Sequence, residues 1–186
     1  MVTSLADQPA GWSPVAKALH WIVAVAIVVQ LPLGVAARNW PLSPRKLDLF
    51  VLHKSIGLAI LLLVVVRVAW RAVHAPPPLP ATMSSGERRA AHASHAVLYA
   101  LALALPLSGW IVSAASNVPF LAFWRIPVPA IVAPDELLAD RAALVHLVLA
   151  ILLGVALVAH VAAALWHHYV RHDDVLRRML PGRRVS

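Results

Sequence analysis

Long apolar runs decide what this chain can fold into. Residues 18–37, 97–115 and 144–166 contain no Asp, Glu, Lys or Arg over twenty, nineteen and twenty-three positions. A bilayer core of ~30 Å needs roughly 20 such residues per helix. A fourth run, 49–66, is interrupted only by His53 and Lys54 near its start. A lysine there can carry its ammonium toward the headgroups. The expectation is an all-α integral membrane four-helix bundle forming one transmembrane domain over 1–186, with helices over approximately 15–38, 48–71, 91–116 and 142–169. Pro32 and Pro106 fall inside two of them, and membrane helices tolerate such kinks. The first run is too long for a signal-peptide core and has only Lys17 before it, so it reads as a retained span. Proline-rich residues 74–87 and 117–140 read as connecting loops.

Composition closes off other classes. The chain of 186 residues is 61% hydrophobic and 13% charged, against about 45–50% and 25% in soluble domains. The absence of cysteine removes disulfides, thiolate iron–sulfur ligation and covalent CxxCH haem attachment. A net charge of +8 does not indicate nucleic acid, because the cations flank the apolar runs instead of forming a stripe. Even spans put both termini on one side with the second loop. That side holds Lys17, Arg67, Arg71, Arg88, Arg89, Arg171, Arg177, Arg178, Arg183 and Arg184, against Arg38, Arg45, Lys46, Lys54, Arg125 and Arg141 on the other. The bias predicts cytoplasmic termini. Trp21, Trp40, Trp70, Trp110, Trp124 and Trp166 fall near span ends, as an interfacial belt would.

Histidine carries the chemistry. Five of the ten lie inside spans: His20, His53, His95, His146 and His160. One such residue is as readily a neutral hydrogen-bonding group as a site, but five in four helices point to function. His146 and His160 are fourteen residues apart, about 21 Å along a helix and rotated only ~40°. One face of helix 4 therefore offers an imidazole at two depths. Helix 2 supplies a partner at the outer level and helix 1 or 3 at the inner level, and the expected pairs are His53 with His146 and His20 with His160. Paired imidazoles on facing helices suit a haem iron, which takes two axial ligands ~4 Å apart. Met1, Met83 and Met179 all lie outside the spans, which disfavours methionine ligation. Zinc wants four close ligands, which two separated levels do not provide. Gly57 and Gly109 are candidates to leave room for a flat macrocycle, or simply to allow close helix packing.

Several segments resemble the bacterial cytochrome b561 family of di-haem membrane cytochromes. They are SPVAKALHW, LHKSIGL with LLLVVVRVAWR, HASHAVLYALALALPLSGW and HVAAALWHHYVRHDDVLRRMLP. The resemblance implies four helices, two haem b groups and axial ligands His20, His53, His146 and His160. His95 matches a family position not counted among the ligands and is a supporting or propionate-side candidate. The resemblance further implies a superoxide oxidase of the bacterial inner membrane, with superoxide giving its electron at the outer haem and ubiquinone reduced near the inner one. The alternative it carries is an electron-transfer subunit of a hydrogenase or formate dehydrogenase. His167 best matches the quinone-side histidine, beside His168 and Tyr169. Arg38, Arg45 and Lys46 form a cationic outer loop opposed by Asp48, able to steer an anion or simply to meet headgroups. Arg67 and Arg71 are candidates for propionate pairing or for the positive-inside bias.

Overall fold

The computed structural model describes residues 11–180. Arg183 and Arg184, counted above toward the cytoplasmic side, lie outside the described residues, as do Met1 and Pro181. Four helices dominate: α1 (Pro14–Asn39), α2 (Pro44–Val73), α3 (Ser85–Ala115) and α4 (Glu136–Tyr169). Each begins at a side chain able to take up an orphan backbone N–H. Ser13, Ser43, Ser84 and Asp135 accept from the amides of Ala16, Lys46, Glu87 and Leu138. Pro14 and Pro44 fill the first helical position, where the missing N–H costs nothing. Glu87 returns a bond to Ser84 N–H, closing a capping box on α3.

All four helices are long and apolar enough to cross a membrane. Large apolar side chains such as Val25, Leu62, Val155 and Val158 stay exposed on their outer faces; in lipid these are the solvated surface. Helices α3 and α4 each start six residues before the expected positions, at Ser85 and Glu136. The first turn of α3 is polar, the start of α4 is broken by Glu136, Asp140 and Arg141, and both are capped, so hydropathy missed them. Residues 136–140 are accordingly helical, and His146 sits in the third turn of α4 instead of opening it.

Helix α1 packs along α2 and α3 along α4, and the two hairpins join through α2 and α3. At mid-depth Val23, Ile27, Ile60, Val64, Leu101, Ala102 and Leu153 form one buried apolar cluster drawn from all four helices. This plug separates two histidine levels. At the terminal end the last described residues strap the bundle together: the Trp21 indole donates to Met179 O, Lys17 Nζ to Leu180 O and Arg178 to Pro78 O.

The opposite end is covered by the α3–α4 connection. Two short strands, β1 (Leu121–Ala122) and β2 (Ile126–Pro127), pair antiparallel. Phe123 and Trp124 at the turn both have positive φ, 50° and 60°. Non-glycine residues pay roughly 1–2 kcal/mol each for that conformation, so something must hold the turn. Buried Ser55 does: its Oγ accepts the Phe123 N–H at 2.7 Å and donates to Val51 O at 2.6 Å. The Trp124 indole donates to Asp48.

Candidate functional site

The histidines expected in pairs lie together. At the loop end the rings of His53 (α2) and His146 (α4) have centroids 6.2 Å apart and planes at 84°. At the terminal end His20 (α1) and His160 (α4) are 6.4 Å apart at 61°. Imidazole nitrogens sit ~2.0–2.1 Å from a first-row metal, and a ring centroid lies about 1 Å further back. Two rings on opposite sides of one iron therefore need centroids roughly 6–6.5 Å apart. Both pairs have that spacing. His95 (α3) is also near His160, at 5.5 Å, which is short of it.

Hydrogen bonds fix which nitrogen is bare. His146 Nδ1 lies 3.0 Å from Leu105 O and 3.0 Å from Ser108 Oγ. A carbonyl only accepts, and the Ser108 hydroxyl already donates to Leu105 O. Nδ1 therefore carries the proton and Nε2 offers its lone pair, the tautomer an axial ligand needs. The His53 ring has the Gln30 backbone as its polar neighbour, with no hydrogen bond of good geometry at the buried Nδ1, and the Gln30 side-chain amide donates to the His53 carbonyl at 2.6 Å. A cavity of about 580 Å³ opens between these residues, lined by His53, His146, Gly34, Gly109, Arg38 and Lys54 among others. Its size is that of a cofactor pocket, and its apolar walls suit a porphyrin face. The outer residues fit the group.

The inner level matches in spacing but is differently wired. Arg67 donates to Ala16 O, to the Tyr99 hydroxyl and, at 3.2 Å, to His20 Nδ1. Guanidinium has only donors, so His20 Nδ1 accepts and its proton sits on Nε2. Ligation through Nε2 requires Arg67 to release that bond, and its two other partners remain when it does.

Other expectations change in detail. Lys54 ends on protein partners instead of a headgroup: it donates to Ser113 Oγ at 2.9 Å, two residues from the end of α3, and lies over the Phe120 ring. Gly109 makes room for the His146 ring and Gly57 faces the Gln30 amide, and both line the cavity between the outer histidines. Arg71 lies over the rings of Trp12 and Tyr99. Lys46 closes the outer turn by donating to Arg38 O, and Arg45 covers Trp40. Trp21, Trp110 and Trp124 each donate to a protein acceptor, which fixes them more firmly than a lipid belt would. At the end of α4, His167 Nδ1 meets Asp173 Oδ2 at 2.5 Å, while the His168 and Tyr169 rings pack on each other, 4.7 Å apart.

A family model described as prokaryotic cytochrome b561 matches residues 11–182. The chain belongs to that family. It is therefore a multi-pass membrane oxidoreductase that transfers electrons, and membership implies binding of haem b. Among its relatives, cytochrome b561 homolog 2 of Escherichia coli K12 is 36% identical over 183 residues, 95% of either chain. A probable superoxide oxidase, CybB, of Yersinia pestis is 32% identical over 171 residues, covering 89% of this chain and 93% of that one. Cytochrome b561 homolog 1 of E. coli K12 is 27% identical over 170 residues.

Sequence reasoning missed Gly34, Gln30, Leu105, Ser108 and Asp173. Gln30 had a signal, as an amide in the middle of an apolar span. The Leu105 contribution is a backbone carbonyl and had none.

Proposed function

We propose that this family member carries two haem b groups in the bacterial inner membrane, held by His53/His146 at the outer level and His20/His160 at the inner level. Its reaction is the oxidation of two superoxide ions to dioxygen with reduction of ubiquinone and two protons to the quinol. The observation that carries the reading is the presence of two imidazole pairs, at 6.2 and 6.4 Å, on either side of one apolar plug. Bis-imidazole haem iron supplies outer-sphere one-electron chemistry with no open coordination position.

The chain's own groups divide the remaining work. Arg38 and Lys54 line the outer cavity, and among the described residues neither has a carboxylate within ion-pair distance. Two uncompensated cations beside an apolar pocket attract a small anion and raise its encounter rate. At the other end, Asp173 Oδ2 pairs with His167 Nδ1. The other ring nitrogen, Nε2, is the atom that would bond a quinone carbonyl oxygen and pass it a proton as the quinone is reduced. The relative named as a probable superoxide oxidase supports the choice of donor, and the ten-to-six cation bias supports cytoplasmic termini.

The test uses the purified single chain in detergent. Two haems per polypeptide, both reduced by a superoxide source and reoxidised by a short-chain ubiquinone, are expected. Haem that superoxide leaves oxidised, in a chain that co-purifies with a peripheral dehydrogenase or hydrogenase, would assign the protein to the electron-transfer subunits instead.

A further inference from the structure

The two outer histidines face the same kind of neighbour. Gly34 of α1 lies against His53, and Gly109 of α3 against His146. A Cβ at Gly34 would stand 2.7 Å from His53 Cε1 and 3.2 Å from Nδ1. One at Gly109 would stand 2.9 Å from His146 Cε1 and 3.3 Å from Nδ1. Carbon contacts are favourable only near 3.5–4.0 Å, so an alanine at either position forces the ring to turn or withdraw. In both cases the glycine meets the Nδ1–Cε1 edge. A side chain at either position would thus change the plane of a ring that must present Nε2 to a metal.

We propose that Gly34 and Gly109 are positioning residues for the outer haem. Each sets the plane of the imidazole on the neighbouring helix, and together they set the near-perpendicular arrangement of 84°. The inference rests on His53 and His146 being axial ligands. Metal-bound histidines are usually oriented by a hydrogen bond at the second nitrogen. His146 has that bond, to Leu105 O. At His53 the Gln30 backbone is the polar neighbour but no bond of good geometry forms at the buried Nδ1, so packing against Gly34 adds to what fixes its plane. Gly34, where the added Cβ would come closer, at 2.7 Å against 2.9 Å, is the more sensitive position. The molecule holds its own control in Gly154 of α4, where a Cβ would meet nothing within 4 Å.

The competing explanation is that a small residue merely lets two helices approach. A double substitution separates the two. Holoprotein is purified for wild type, Gly34→Ala, Gly109→Ala, Gly154→Ala, His53→Ala and the pair Gly34→Ala/His53→Ala, with haem per chain and the low-spin iron(III) paramagnetic resonance spectrum measured for each. Near-perpendicular axial rings give a strongly anisotropic signal. Gly34→Ala is expected to shift that signal, or to lower outer-haem occupancy at least twofold, with the inner haem unchanged. Gly109→Ala does the same more weakly, and Gly154→Ala matches wild type. With the ring gone, the pair accumulates to the level of His53→Ala alone and keeps the same inner haem, even if Gly34→Ala by itself does not accumulate. A Gly34→Ala protein with wild-type haem content and spectrum overturns the inference, as does a pair that accumulates less than half as well as His53→Ala. Retention of both haems by His53→Ala would instead overturn the ligand assignment beneath it.

Discussion

Replacing Ser55 by alanine should loosen the cover over the outer cavity. The hydroxyl is buried and is the acceptor for the Phe123 N–H. Without it that amide loses its partner, at a cost of about 1–3 kcal/mol. The turn it anchors holds two aromatic residues at positive φ, a conformation that stores roughly 1–2 kcal/mol per residue. Opening the hairpin lets that strain relax, so the loss of the anchor and the release of strain act in the same direction. The anchor alone, at ~1.4 kcal/mol per factor of ten, raises the open population about five- to a hundredfold. Phe120 and Val128 from this connection wall the cavity, so an open hairpin admits water to it. Amide hydrogen exchange in detergent micelles is the assay. Residues 121–127 should exchange at least fivefold faster in Ser55→Ala, with the mid-depth segments of α2 and α4 unchanged. Equal exchange at Phe123 in both proteins would show that the turn is held by something other than Ser55.

Three further outcomes are expected. His53→Ala or His146→Ala should lose one haem and keep the other, His20→Ala or His160→Ala should lose the other one, and His95→Ala should keep both; a haem missing from His95→Ala moves the inner ligand to α3, as judged by haem quantification. Lys54→Met should slow haem reduction by superoxide severalfold and flatten its dependence on ionic strength, a part of the roughly ten- to thousandfold enhancement that a whole steering field provides; stopped-flow at two salt concentrations reads both. Asp173→Asn should slow quinone reduction about tenfold or more while leaving superoxide-driven haem reduction at the wild-type rate, because its carboxylate bonds His167 and the Val175 amide, both at the terminal end; an equal loss in both half-reactions would contradict that role.

The spans, the two histidine levels and the pairs across them were legible because each depends on spacing along one helix or on the requirement to bury polar groups in lipid. Their supports were not. The tautomer of His146 is set by Leu105 O, an atom every residue possesses. Gly34 differs from other glycines only in what stands opposite, and Lys54 ends on protein partners because Ser113 and Phe120 lie within its reach. The early starts of α3 and α4 come from capping, in segments too polar or too broken by charge for a hydropathy pattern to mark. Contacts between elements decide these features, and one strand of letters holds them only implicitly.

The apolar plug has an electrical consequence. His146 and His160 are fourteen residues apart on α4, about 21 Å of a ~30 Å insulating layer. With no charged side chain in the cluster between them, most of the membrane voltage falls across that stretch. A full crossing is worth ~2.3 kcal/mol per 100 mV, so an electron handed from one level to the other works against or with roughly 1.6 kcal/mol per 100 mV. Under the proposed reaction, turnover is coupled to the polarisation of the cell, and its forward and reverse directions respond to voltage with opposite sign.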